Sequence, residues 1–254
     1  MLFKHTKKTD GNKLAGRFGK NFGIIAALLI VLLGAVYFLG GTDLLKVPDK
    51  NAYNGKIILI DAVGGISNKD GLEQAYLGSI TLVPAYDSYK DQNNTTLNTA
   101  IILKEKLENS GATVYLIRDS KFKDILNSEK GEFATRIKAD AFIEIGCGIS
   151  ENKSAEGISG FYQSDEHSKD TLSLSSRRLA ETVTNCLQKE LSVKNNGIIP
   201  KSWSPDFNYS AVPAIRINIG FATNDNDTKR FSDEKYLERA ADSIYKGIGF
   251  YFGE

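Results

Sequence analysis

The sequence predicts an α/β domain with a mostly parallel sheet flanked by helices on both faces, preceded by one transmembrane helix. Three observations predict it. The run Lys56-Ile-Ile-Leu-Ile-Asp61 is continuously apolar and rich in β-branched residues until it meets an acid, and Gly64 and Gly65 close it. A strand covered on both faces reads this way. Downstream, short apolar runs alternate with stretches whose apolar residues recur every three or four positions, the order that parallel strands with crossover helices require. Upstream, no charged residue occurs from Phe22 to Gly41, a length of about 20 residues that spans a bilayer as a helix.

Taken in order, residues 1–21 form a basic tail, with Lys4, Lys7, Lys8, Lys13, Arg17 and Lys20 against Asp10 alone. Residues 22–41 are the expected membrane helix, too long for the apolar part of a cleavable signal and without an Ala-x-Ala exit. The positive charge before it places the amino terminus in the cytoplasm. A single-pass protein of the cell membrane with an extracytoplasmic domain is therefore expected, and the membrane is its first expected partner. The rest of the chain holds 26 basic and 30 acidic residues, a balance of −4 that argues against nucleic acid as a partner. Residues 42–55, with Pro48, Asn51, Asn54 and Gly55, read as a linker, and the folded domain spans 56–254.

Within the domain, the first strand leads into a loop from Ala62 to Asn93. Ligands of open α/β sheets bind at the carboxyl ends of strands, so this loop is expected to roof the site. Leu97, Ala100, Leu103 and Leu107 predict a helix over 94–109, stopped by Gly111. Thr113–Ile117 is the second strand, 124–138 a helix, and Ala141–Ile145 the third strand. Gly157–Tyr162 is a fourth, followed by a polar loop holding His167 and a helix presenting Leu179, Val183, Cys186 and Leu187. Pro213–Ile217 is a further strand. The chain closes with a helix whose apolar stripe is Leu237, Ala240, Ala241, Ile244, Ile248 and Tyr251.

Several local strings occur in an order that resembles the zinc-dependent N-acetylmuramoyl-L-alanine amidases. Ile60-Asp61 with Gly65 is similar to Ile-Asp-Pro-Gly-His-Gly-Gly, and Val114-Tyr-Leu-Ile-Arg118-Asp119 to Val-x-Leu-Thr-Arg-Asp. Ala139-Asp140-Ala-Phe-Ile-Glu-Ile145 resembles Ala-Asp-x-Phe-Ile-Ser-Ile-His. Pro213-Ala-Ile-Arg-Ile-Asn218-Ile-Gly220-Phe221-Ala-Thr-Asn224 resembles Pro-Ala-x-Leu-x-Glu-x-Gly-Phe-x-Ser-Asn, and the last helix matches the family's ending. The resemblance covers Lys56 to Phe252. It implies metal-assisted hydrolysis of the amide between muramic acid and L-alanine, with two His and a Glu on Zn²⁺ and a second Glu as base.

This sequence departs from the family at those positions. The two His fall at Gly64 and Gly146, the catalytic Glu at Asn218, and the metal Glu at Asn94, with Glu73 as the competing choice. Glycine donates no lone pair, and a carboxamide is neither a strong zinc ligand nor a base near neutral pH. The whole chain has two histidines, and one of them, His5, sits in the basic tail. His167 reads as a solvated loop residue among Ser164, Asp165, Glu166 and Ser168. The family's Zn²⁺ is thus expected to be lost, with no cofactor in its place.

Asp61, Glu144 and Cys147 as a replacement metal set mix hard and soft ligands in a way that matches no common site. Asp61 is expected to hydrogen-bond the turn. Cys147 and Cys186 read as two small buried hydrophobes rather than a disulfide. A Ser or Cys nucleophile lacks a His base. The expected function is a non-catalytic amidase-like domain. It binds peptidoglycan, or a cell-wall enzyme partner, in a groove floored by Gly64 and Gly146 at adjacent strand ends and flanked by Asn94, Asn218 and Asp61. The competing expectations are an active amidase with relocated ligands and a purely structural assembly protein.

Overall fold

The structure, a computed structural model, describes residues 48–63, 90–119, 126–164, 170–202 and 204–253. Its elements are β1 (Ile57–Ala62), α1 (Lys90–Glu108), β2 (Thr113–Leu116), α2 (Asn127–Arg136), β3 (Ala141–Gly148), β4 (Ile158–Gln163), α3 (Thr171–Leu191), β5 (Asn195–Lys201), α4 (Pro205–Asn208), β6 (Ala214–Phe221), α5 (Asp225–Phe231) and α6 (Glu234–Phe252). The strands form one sheet in the order β2-β1-β3-β6-β4-β5. All neighbours run parallel except β6 and β4. The α/β class, the mostly parallel sheet and the helices on both faces are as the sequence predicts.

The expected membrane helix is corrected. Among the described residues no helix is long and apolar enough to cross a membrane. The long helices that form are two-faced: α1 buries Leu103 and Leu107 but carries Lys104, Glu105, Lys106 and Glu108 in its last turns. The run from Phe22 to Gly41 lies outside the described residues, as do the basic tail, Gly64, Glu73, His167 and most of the expected roof loop. Membrane anchoring, single-pass topology and the extracytoplasmic placement built on that run are set aside with it.

Successive strand residues face opposite sides of the sheet, and the two sides differ. One side presents Ile58, Ile60, Ile143, Ile145, Ile215 and Ile217, all fully buried in the larger core with α1, α3 and α6. Each such side chain contributes about 1.5–3 kcal/mol by burial. Gly247 lets α6 approach α3 closely, since a Cβ there would stand 2.5 Å from the Cα of Val183. The other side packs Leu59, Phe142 and Ala214 against Ala134 of α2 and Phe207 of α4. This second core is small and ends partway along the strands.

Two features lay outside the sequence reading. β5 is an exposed edge strand, rich in polar residues and holding Gly197 and Pro200, so it carries no apolar alternation to detect. Before β1, a 3₁₀ turn at Lys50–Tyr53 places a fully buried Tyr53 against α6. Its hydroxyl donates to the Tyr245 carbonyl at 2.5 Å and its ring stacks on Tyr245 at 4.6 Å.

Candidate functional site

Beyond the small core, the sheet carries polar side chains in two successive rows. Leu59, Phe142 and Ala214 are Cα partners across β1, β3 and β6, and two residues on, the same strands align Asp61, Glu144 and Arg216. Two residues further, Gly146 lies opposite Asn218. Across β6, Phe161 stands opposite Arg216 and Ser159 opposite Asn218. Pleating places these on one face. The sheet thus passes from an apolar row to a charged row to a row with a missing side chain.

The charged row is deeply buried. Asp61 is 2% exposed and Glu144 fully covered. Lys130 of α2, itself 8% exposed, places its Nζ 2.9 Å from Asp61 Oδ2. A buried carboxylate requires such a partner, and the pair pins α2 to the sheet. The turn at Gly64 and Gly65 that Asp61 was expected to hydrogen-bond lies outside the described residues. The exit of β1 is held by Arg118, whose Nε donates to the Ala62 carbonyl at 2.5 Å and whose Nη2 donates to Thr96 Oγ1 at 3.1 Å. Thr96 in turn donates to the Val63 carbonyl at 2.9 Å.

Gly146 sits inside β3 and not past its end. A Cβ on it would stand 2.9 Å from Asn218 Oδ1, 3.2 Å from Arg216 Nε and 3.5 Å from Arg216 Nη2. The guanidinium of Arg216 therefore lies over the space that a side chain at 146 would enter. Asn218 is 7% exposed, and its Oδ1 is buried without a hydrogen-bond partner among the described residues. Beside it opens a cavity of about 240 Å³ whose described lining residues are Cys147, Gly148, Phe161, Lys201, Arg216 and Asn218, together with Ile149, Ser204 and Phe207. Lys201 Nζ lies 5.2 Å from the Phe161 ring centroid, a cation held over an aromatic face.

Of the residues expected in the groove, Gly146 and Asn218 meet here. Asp61 lies one row deeper, on Lys130. Asn94 is half-buried on α1 and does not line the cavity. Arg216 was missed, although the string comparison held the signal: the family pattern has Leu at this position, and a charge interrupts a strand otherwise reading Ala-Ile-x-Ile. Lys201 was missed because β5 itself was.

The site's chemistry follows from these groups. Burial pushes the Cys147 thiol far above its ordinary pKa, with the Arg216 charge pulling the other way and Asp227 adding to the rise, so it offers no thiolate near neutral pH. Both cysteines are free, Cys147 buried and Cys186 half-buried. Among the described residues no three of His, Cys, Asp and Glu stand together to hold a metal ion. The Zn²⁺ implied by the resemblance does not fit the residues present at 146 and 218. Gly146 supplies no zinc donor, Asn218 supplies no base, and a guanidinium beside them repels a dication.

Comparison with known proteins gives the same lineage. The sequence profile of the N-acetylmuramoyl-L-alanine amidase family matches residues 65–249. The "Probable cell wall amidase LytH" of Staphylococcus aureus is 25% identical over 208 residues, covering 82% of this chain and 62% of that protein. This chain therefore spans less than two thirds of that relative's length. Among solved structures, the N-acetylmuramoyl-L-alanine amidase of Clostridium difficile 630 superposes with a TM-score of 0.63 at 24% identity, covering 78% of this chain and 97% of that one. AmiC2 of Nostoc punctiforme gives 0.62 at 23% identity, covering 79% and 99%. With a family profile that spans most of its length, this chain belongs to the N-acetylmuramoyl-L-alanine amidase family.

Proposed function

We propose that this domain is a non-hydrolytic member of the family that binds peptidoglycan at the remodelled site between β3, β6 and β5. The observation that carries the reading is the Arg216 guanidinium over Gly146, with Asn218 in place of the family's catalytic Glu. Hydrolysis of an amide at neutral pH needs an activated water, and neither a guanidinium nor a carboxamide takes a proton from water. A groove that keeps the family's sheet while exchanging its metal for a fixed cation retains recognition without turnover. The likeness to LytH, a probable cell wall amidase, supports peptidoglycan as the ligand class.

Co-sedimentation of the full chain with purified cell-wall sacculi tests the reading, alongside release of peptide from the same sacculi. Binding without release is expected. Release of peptide that stops on chelation and returns with zinc would establish a working amidase with relocated ligands. Absence of binding would shift the proposal to a cell-wall protein partner.

A further inference from the structure

The cavity beside Asn218 has a composition that selects its ligand. Among the described residues, two cations, Lys201 and Arg216, line it and no acidic residue does. Glu144 and Asp61 stand in the same row as Arg216, with Glu144 its Cα partner, and are not among the residues that line the cavity. A guanidinium presents a planar fork of donors that matches a carboxylate, and an ammonium adds a second point of positive charge. The cavity thus favours an anionic group. The Asn218 carbonyl oxygen, 93% of whose residue is covered, lacks a donor among the described residues. An unsatisfied buried acceptor calls for an N–H at that spot. Ile149, Phe161 and Phe207 supply apolar surface on the remaining wall.

We infer that this cavity binds the carboxyl terminus of a peptide ending in a small apolar residue. The terminal carboxylate lies against Arg216 and Lys201, the amide N–H of the last residue donates to Asn218 Oδ1, and the apolar wall takes the terminal side chain. The volume agrees, since about 240 Å³ is below the roughly 300–1,000 Å³ of pockets that enclose drug-sized ligands and suits one terminal residue. The inference rests on the proposal of peptidoglycan binding and makes it specific, placing the peptide part and not the glycan in this cavity.

Calorimetric titration of the full chain with N-acetyl-alanyl-alanine, in L,L and D,D forms, and with the matching C-terminal amides tests it. One free acid is expected to bind at least tenfold more tightly than its amide, with the advantage shrinking as salt rises. Lys201→Gln and Arg216→Gln are each expected to weaken the free acid tenfold or more. Lys201 is exposed on an edge strand, so its variant carries the test if Arg216→Gln fails to fold. Equal binding of acid and amide, binding of neither, or an unchanged affinity in folded Lys201→Gln would overturn the assignment. Acetate competing as well as the dipeptide would reduce the site to a general anion pocket and overturn it too. Sacculus binding without acid-over-amide preference removes this cavity and leaves the proposed function. Acid-selective dipeptide binding without sacculus binding removes peptidoglycan as ligand and leaves the cavity's chemistry.

Discussion

Gly146 and Asn218 are Cα partners across β3 and β6, and the Asn218 carboxamide oxygen stands 2.9 Å from where a side-chain carbon on residue 146 would be. With the Arg216 Nε 3.2 Å from the same point, the pair closes a space that a larger residue at 146 needs. Supplying the residues the resemblance implies, by Gly64→His, Asn94→Glu, Gly146→His and Asn218→Glu, is therefore expected to yield no stoichiometric zinc while Arg216 remains. Adding Arg216→Leu is expected to raise the zinc content. Metal analysis after dialysis decides it, and equal zinc with and without Arg216 would contradict the guanidinium's role.

The Lys130–Asp61 pair is nearly sealed from water, so its halves differ from surface charges in what their loss costs. Lys130→Met leaves a buried carboxylate without that partner, and a loss of about 3–5 kcal/mol is expected. Lys130→Met with Asp61→Leu is expected to recover part of the loss, because two apolar side chains need no partner. Urea unfolding of both variants measures the difference. Identical midpoints for the single variant and the parent would contradict it.

Asp227 ties the entry of β4 to the exit of β6. Fully buried, its Oδ2 accepts from the Gly157 N–H at 2.9 Å and the Phe221 N–H at 2.8 Å, while Oδ1 receives Arg230 Nη1 at 2.6 Å. Asp227→Ala leaves two backbone donors unsatisfied at about 1–3 kcal/mol each, so a destabilisation of roughly 3 kcal/mol or more is expected. Thermal or urea unfolding reads it. A loss below about 1 kcal/mol would mean that the donors find other acceptors.

Gly157 itself adopts a positive φ of 91°, and a Cβ there would collide with the Lys194 carbonyl oxygen. Backbone cannot swing aside as a side chain can. Gly157→Ala is expected to separate the start of β4 from β5 and to lower the unfolding temperature by more than Gly197→Ala, whose Cβ meets nothing within 4 Å although its φ is also positive. Equal shifts for the two variants would show that strain at φ outweighs the collision.

Stability should also fall in alkaline solution. Burial pushes the Cys186 thiol from 9.0 up to about 11, with Lys189 and Lys246 opposing and Glu190 adding. Burial also raises Cys147, Tyr53 and Tyr236. These groups lose their protons first in the unfolded chain. Their contribution is therefore complete below the unfolded values and is lost as pH rises toward the folded ones. The unfolding temperature is expected to hold steady near pH 8 and to drop between pH 9 and 11, as the Cys186 shift sets the window. Cys186→Ala should flatten the drop. A steady unfolding temperature through pH 11 would contradict the burial of these groups.

The elements that could be read from the chain are those whose residues report their own surroundings. Ile57–Ile60, Ala141–Ile145 and the stripe of α6 are apolar in the period of the structure they form, because each is buried by whatever packs on it. Edge strand β5 is solvated on its outer side, so Asn195, Asn196 and Lys201 satisfy it and leave no period. The chemistry of Gly146 and Asn218 was legible because a glycine lacks a donor and a carboxamide lacks a base wherever it sits.

By itself, then, the sequence determined the α/β class and the family likeness, both properties of residue types and their local order. Only the tertiary structure decided that Arg216 covers Gly146, that Lys130 pairs with Asp61, and that Lys201 shares a cavity with Asn218. Those relationships depend on the order β1-β3-β6-β4-β5 and on the register between strands far apart in the chain. A one-residue slip in that register would turn each of these side chains to the opposite face.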